Sequence, residues 1–419
     1  MSAKNICIIG AGAAGLCAAK RCIAAGFNVT IYEQCSSLGG TWVYSDSIGI
    51  HSSMYEKMHT NLPKEVMRFE GFPFPAGEQS FIDHFTVLKY LNNYALTIKE
   101  QIQFDAKVIK VERSADNAKW NVIVENNDDR DDAMFDVVFV CNGHFSNPRI
   151  PKWIENLKIP TIHSHDYRKA KTYEDKIVAI VGAGASGIDI GIQICKYAKK
   201  VYLCHHNFKA TQIQLPKTIE IVPGVTNATK DSIILTDGTI LHDVEAVILC
   251  TGYRYTYPFF DKSIIQTPEN DSYVSPLFAH VAHVQYPDSL FFIGLNIVVV
   301  PFILFDYQVG LALSLINGKA KEIGMEEIKK WEDKRLKMLA ANGIDAKRYH
   351  VLADKQWDYF QELCKYSGDV YKTPEVIKHI YDEVSEGRKT AVTEYKKYCY
   401  KIIDSKTFKK FDSINIDYD

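Results

Sequence analysis

Two short glycine strings are the residues in this chain best suited to holding a phosphate. The first is Gly10-Ala11-Gly12-Ala13-Ala14-Gly15 and the second is Gly182-Ala183-Gly184-Ala185-Ser186-Gly187. Each follows a short apolar run and precedes a helix-forming stretch. In that order the first glycine makes a tight turn, the second lets the backbone approach a pyrophosphate, and the third lets the helix pack on the strand. The helix N-terminus then offers free N–H groups and a partial positive charge to the phosphates. After the first string, the run Asn28–Tyr32 ends in Glu33, a carboxylate placed to accept hydrogen bonds from a ribose diol. Carried across at the same spacing, Glu33 lands on His205, which is followed by His206. The second site therefore lacks the carboxylate that would repel a 2′-phosphate, which permits NADP. The histidine pair, with Lys209 nearby in sequence, is available to that phosphate; the alternative is that both rings face solvent.

The elements that must position these loops can be read in turn. Strands are expected over Asn5–Ile9, Asn28–Tyr32, Ile177–Val181 and residues 200–204. Helices are expected over 16–25 and from the second string to about Ala198. Strands at 137–141 and 246–250 lead into Asn142-Gly143-His144 and Thr251-Gly252-Tyr253, and each marks the chain passing between domains. The run at 289–295 looks like a returning strand. The fold class is therefore α/β, with two Rossmann-like dinucleotide-binding domains. The NADP domain, residues 160–285, is inserted into an FAD domain made of residues 1–159 and 286–419. FAD is assigned to the N-terminal site by analogy with this architecture. Residues 318–404 read as mostly helical, with Trp331, Trp357, Tyr359 and Phe360 making core or interface contacts. The acidic stretch at 128–132 reads as a solvated hairpin turn.

Composition narrows the partners. With 419 residues, a net charge of −2 and 47% hydrophobic residues, the chain has material for large cores and no basic block for nucleic acid or an acidic membrane surface. Ten cysteines are scattered singly, several inside apolar runs such as Cys7 and Cys141, as reduced core residues would be. No run reaches the roughly 18 apolar residues of a membrane helix. The expected setting is cytoplasmic and without a membrane anchor. Secretion is the alternative, should a leader precede this sequence, and sequons at Asn227 and Asn270 do not decide it. The expected partners are a small molecule and, as an open alternative, a second copy of the chain in a homo-oligomer.

Beyond the two glycine strings, the chain carries GGTW at 39–42, TNLPKEVMRFEGFPFP at 60–75, CNGHFSNP at 141–148, HSHDYR at 163–168 and CTGYRYTYPF at 250–259. In order and spacing these resemble the flavin-containing monooxygenases over most of the chain. The family's linker pattern, Phe-x-Gly-x-x-x-His-x-x-x-Tyr, meets Leu157, Ile159, His163 and Tyr167 here. His and Tyr remain, while Ile159 stands where a glycine would have more backbone freedom. Among members, the short chain with a polar C-terminus is most similar to the soluble insect branch, which includes enzymes that N-oxygenate pyrrolizidine alkaloids such as senecionine.

The resemblance implies FAD and NADPH as cofactors, O₂ as co-substrate, and a tertiary amine or a sulfide as the small-molecule substrate. It implies alkaloid detoxification by N-oxygenation through a flavin hydroperoxide, with Baeyer–Villiger chemistry or a non-catalytic flavoprotein module as alternatives. It places Asn61 beside the flavin and the nicotinamide, where an amide can donate and accept at once; the other reading is a turn cap before Leu62-Pro63. Gly39, Gly40 and Thr41 should run close to the flavin. Trp42 either walls the ring or is core. Gln308 matches a family position near the flavin. His163 and Tyr167 either shape the linker beside NADP or are ordinary loop residues. A disulfide reductase would share both nucleotide sites, but Trp42 stands where one branch of that class carries its cysteine. Cys17 and Cys22 would point about 140° apart on a helix.

Overall fold

Each glycine string sits at a sharp turn after a parallel strand, one in each of two sheets. The computed structural model describes residues 3–49, 52–77, 79–126, 129–206, 214–320 and 323–413. Its larger sheet has seven strands in the order Leu277–Phe278, Ala282–His283, Leu290–Phe292, Val137–Val140, Asn5–Ile9, Asn28–Tyr32 and Ile102–Gln103. From Leu290–Phe292 onward all neighbours are parallel. The second sheet is wholly parallel and runs Ile219–Pro223, Lys200–His205, Ile177–Val181, Ala246–Leu249 and Thr161–His163. Its central strands are near-continuous Val and Ile because helices and loops cover both faces.

All five strands of the second sheet lie within 161–249, and the chain is back in the first sheet by Leu277. We propose that the inserted unit be drawn around those five strands, with its end before 277 and not at 285.

Local elements differ from expectation in ways that have physical causes. The first helix is Ala13–Ala24, because the Gly12 carbonyl already takes the Leu16 N–H at 3.0 Å. The second is Ala185–Ile194, stopping short of Ala198 so that Lys199 can bond back to Lys176 and enter the next strand. The acidic run is strand and not turn from Asp129 on. The strand Asp129–Phe135 pairs with Trp120–Asn126 along the outside of a three-stranded sheet, where charges protect a free edge.

The C-terminal region holds helices Pro301–Ile316, Met325–Ala341, Gln356–Ser367 and Glu375–Thr390. It does not stay helical to 404. Tyr398–Ile402 and Phe408–Asp412 form an antiparallel pair. Asp404 makes the turn between them by accepting the N–H groups of Lys406 and Thr407, both at 2.8 Å. Trp331, Trp357, Tyr359 and Phe360 are buried in the main core. All ten cysteines are free thiols. Among the described residues no helix is long and apolar enough to cross a membrane, and no His/Cys/Asp/Glu group suits a metal ion.

Candidate functional site

Each glycine loop is held by contacts that only a missing side chain allows. A Cβ on Gly10 would lie 2.7 Å from the Cys141 carbonyl oxygen, and one on Gly15 would lie 1.9 Å from that of Gly10. The second loop repeats this: a Cβ on Gly182 would lie 2.4 Å from the Cys250 oxygen, and one on Gly187 would lie 1.9 Å from the Gly182 oxygen. Gly10 and Gly182 also take positive φ, +102° and +109°. The middle glycines differ. A Cβ on Gly184 would meet nothing within 4 Å, so that position faces open space, as a backbone awaiting a pyrophosphate should.

Glu33 is buried at the end of its strand. One carboxylate oxygen accepts the Ala11 N–H at 2.7 Å and the other the Cys35 N–H at 2.9 Å. It thus ties the first glycine loop to the end of the strand Asn28–Tyr32. Its counterpart His205 ends Lys200–His205 and is half-buried, while His206 is exposed beside Gly224. Lys209 lies outside the described residues.

Gly40 links the first loop to a large cleft. A Cβ on it would lie 3.2 Å from the Gly12 Cα, and Gly39 N–H bonds to the Ala11 carbonyl. The turn Gly40–Trp42 then carries Thr41 and Trp42 into the wall of a cleft of about 1510 Å³. Trp42 packs on the main core and also lines the cleft. The opposite wall is the second loop, with Gly184, Ala185 and Ser186 at the helix N-terminus. Asn61 also lines the cleft. Its side chain is exposed and makes no hydrogen bond to the described residues, so it does not cap the Leu62-Pro63 turn. The cleft is cationic: Lys57, Lys169, Lys171, Lys196, Arg388, Lys389, Lys396 and Lys397 line it against Glu56, Asp189 and Glu394. That excess focuses a positive field on an anionic ligand entering the cleft.

Gln308 is placed otherwise than the sequence suggested. It is fully buried and absent from the cleft lining. Its amide oxygen takes the Gly294 N–H at 2.9 Å, and its nitrogen donates to Asn296 and to the Tyr359 hydroxyl. It holds the 294–296 backbone in place.

His163 and Tyr167 are buried in the linker. His163 Nε2 donates to the Gly252 carbonyl while Nδ1 accepts the His165 N–H. Burial lowers its pKa to about 4, so the ring is neutral at physiological pH. Ile159 is not among the residues with positive φ, so this linker needs no glycine there. The sequence reading missed the residues that cross the cleft, Tyr55, Asp189 and Lys396, and the loop-binding Arg168. Asp189 left one signal, a lone carboxylate in the apolar run of its helix.

Two sheets, one wholly parallel and the other parallel from Leu290–Phe292 onward, each carrying a glycine loop before a helix, fit a two-dinucleotide flavin oxidoreductase. The donor sets fit: a glycine cradle with Glu33 for FAD, and an open glycine loop without a carboxylate for NADPH. The Flavin-binding monooxygenase-like family model matches residues 3–211 and 207–363, and the chain belongs to that family. It is similar to senecionine N-oxygenase of Tyria jacobaeae, at 30% identity over 98% of this chain and 92% of the relative. It is 32% identical to Flavin-containing monooxygenase FMO GS-OX-like 6 of Arabidopsis thaliana, over 87% of this chain and 83% of the relative. Among solved structures, S-allyl-L-cysteine S-oxygenase from Allium sativum superposes with a TM-score of 0.87 at 30% identity, covering 94% of this chain and 95% of that one. Cyclohexanone monooxygenase, at 12% identity and a TM-score of 0.64, shares the fold. The chain is an FAD-dependent, NADPH-consuming monooxygenase of the N- or S-oxygenating type.

The missing carboxylate gives a direct expectation. NADPH should exceed NADH in kcat/KM by at least about tenfold, roughly 1.4 kcal/mol. His205→Asp should erode that preference by repelling the 2′-phosphate. Equal efficiency with both cofactors in the unmutated enzyme would refute this reading of His205.

Proposed function

We propose that the enzyme N-oxygenates tertiary amines, pyrrolizidine alkaloids such as senecionine among them, with S-oxygenation as a side activity. When bound, FAD supplies oxygen activation and NADPH supplies the hydride. The chain's own residues bind and orient these groups, keep water out, and offer the Asn61 amide at the junction of the two walls.

The observation that carries this reading is that the cleft lining offers a single arginine among the described residues. Trp42, Met54, Phe145, Tyr253 and Val298 give the lining apolar and aromatic surface, and Arg388 is the one arginine among the described lining residues. It lies on Glu375–Thr390, in the last turn. Ketone oxygenation needs a deprotonated peroxide and a cation to hold it. Arg168 is committed to five backbone carbonyls, those of Ser45, Ser47, Ser52, His165 and Tyr167. Arg254 faces Asp271 at 4.0 Å. An electrophilic oxygen meeting a neutral lone pair needs no such cation. The similarity to senecionine N-oxygenase supports the amine, and that to S-allyl-L-cysteine S-oxygenase supports sulfur as a second acceptor.

Only unprotonated amine can react, so the rate should rise with pH toward the substrate's own pKa. Enzyme, NADPH, O₂ and senecionine should yield the N-oxide, read by mass. Lactones from cyclic ketones, with no product from tertiary amines, would replace this reading with Baeyer–Villiger chemistry.

A further inference from the structure

Three distant stretches of chain meet on one carboxylate in the cleft. Asp189 lies on the helix Ala185–Ile194, whose N-terminus forms the second glycine loop. Its Oδ1 is 2.8 Å from Lys396 Nζ, in the turn Tyr395–Lys397 near the C-terminus. Its Oδ2 accepts the Tyr55 hydroxyl at 2.6 Å, from the loop that follows the Gly40–Trp42 turn, and Gln193 Nε2 at 2.9 Å. Lys396 places a second N–H on the His59 carbonyl at 3.2 Å, so it binds the first unit and the second together. Tyr55 in turn packs edge-on against Tyr167 of the linker. Tyr55, Asp189, Gln193 and Lys396 all line the cleft, with Tyr167 buried behind Tyr55.

The contact is sheltered. The Lys396 and Asp189 side chains are 12% and 25% exposed. The other ion pair among the described residues that joins the 161–249 segment to the rest, Lys169–Asp46, is 43% and 67% exposed. Burial alone would raise the Asp189 carboxyl; the Lys396 ammonium and its hydrogen bond outweigh this and hold it below the usual range. A sheltered charge that loses its partner is strongly penalised, so the pair tolerates only a narrow range of separations.

We propose that Asp189, Lys396 and Tyr55 form a clamp across the cleft that sets the distance of the nicotinamide-binding helix from the flavin side, making Asp189 and Lys396 positioning residues for hydride delivery. The geometry has the needed leverage. Asp189 lies one helical turn from Ser186, at the end of the helix that receives the pyrophosphate. A small shift there moves the nicotinamide relative to the flavin, and misplacement of about 1 Å can cost as much as about a hundredfold in rate. The inference rests on the two-dinucleotide reading of the cleft and is independent of the oxygenated substrate.

The test uses FAD-loaded enzyme without amine, in the absence of O₂. Flavin bleaching by NADPH is followed by stopped flow, NADP⁺ affinity by calorimetry, and opening of peptides covering 53–60 and 185–194 by hydrogen exchange. Lys396→Met should slow the limiting reduction rate about tenfold or more, speed exchange in both peptides, and leave the NADP⁺ dissociation constant within about threefold. Lys396→Arg, which keeps charge and donors, should restore most of the rate and the protection. Asp189→Asn should resemble Lys396→Met. Wild-type reduction rate and exchange in Lys396→Met would overturn the clamp. A weakened NADP⁺ affinity with an unchanged limiting rate would overturn it too, making Lys396 a cofactor-binding cation. Loss of FAD or of thermal stability with no rescue by arginine would reduce the pair to a structural contact. If NADPH fails to bleach the unmutated enzyme, the reading of the cleft fails instead.

Discussion

Gly184→Ala is expected to give a folded, FAD-loaded protein whose NADPH dissociation constant rises at least about tenfold, roughly 1.4 kcal/mol. The argument turns on where the added methyl goes. At Gly184 it meets no protein atom within 4 Å, and the backbone φ of −76° suits alanine. The polypeptide therefore has no reason to lose stability. The methyl projects from the residue at which a pyrophosphate must come close, and overpacking a tight contact typically costs about 1–3 kcal/mol. Gly187→Ala is the contrast. Its methyl would lie 1.9 Å from the Gly182 oxygen, a backbone atom with nowhere to go. That variant should lose thermal stability together with affinity. Calorimetric titration with NADP⁺ beside thermal melts separates the two. Unchanged affinity in Gly184→Ala would show that the second loop does not cradle the cofactor.

The same two loops explain how much could be read in advance. A strand, a glycine string and a helix are local patterns, and in a parallel sheet they fix the position of the phosphate site without reference to the rest of the chain. Asn5–Ile9, Asn28–Tyr32 and Ile177–Val181 therefore sit where the apolar runs placed them. The spacing that pairs Glu33 with His205 is local in the same sense, since each follows the residue, Tyr32 or Cys204, whose carbonyl accepts the N–H of the first loop glycine. What could not be read depends on long-range contact. Gln308 resembles a cofactor ligand by position, yet the 294–296 backbone, which a single sequence does not fold up against it, claims its amide. Lys396 lies in a lysine-rich stretch that looks solvated; its partner is 207 positions away. The pair Tyr398–Ile402 and Phe408–Asp412 was hidden because alternating tyrosines and lysines suit a helix face nearly as well as a strand.

The cleft also shows why the site needs both cofactors to become dry. Its lining is more apolar than polar, and four of its eight lysines and arginines, Arg388, Lys389, Lys396 and Lys397, come from the C-terminal segment. An anionic dinucleotide drawn in by those cations would cover that part of the wall. Asn61 lines the same cleft.

Asn61→Ala is accordingly expected to fold and to retain FAD, while oxygenated product per NADPH consumed falls sharply. Asn61 is exposed to the cleft, and its side chain bonds to no described residue, so its removal takes away no protein contact. Once the cleft is filled, the amide becomes a fixed donor and acceptor in a site from which water is excluded. Removing one such donor typically costs about 2.7–4 kcal/mol, or about 10²–10³ in rate. The reducing equivalents should then leave as H₂O₂. Asn61→Asp refines the test, because it keeps the shape and the acceptor but loses the amide donor. If donation is the role, both variants should leak H₂O₂ at high rates with NADPH oxidation continuing. The measurement is peroxide and N-oxide per NADPH, alongside FAD content and melting temperature. Undiminished N-oxide per NADPH in Asn61→Ala would remove Asn61 from the chemistry and leave the outcome of oxygen transfer to the shape of the cleft alone.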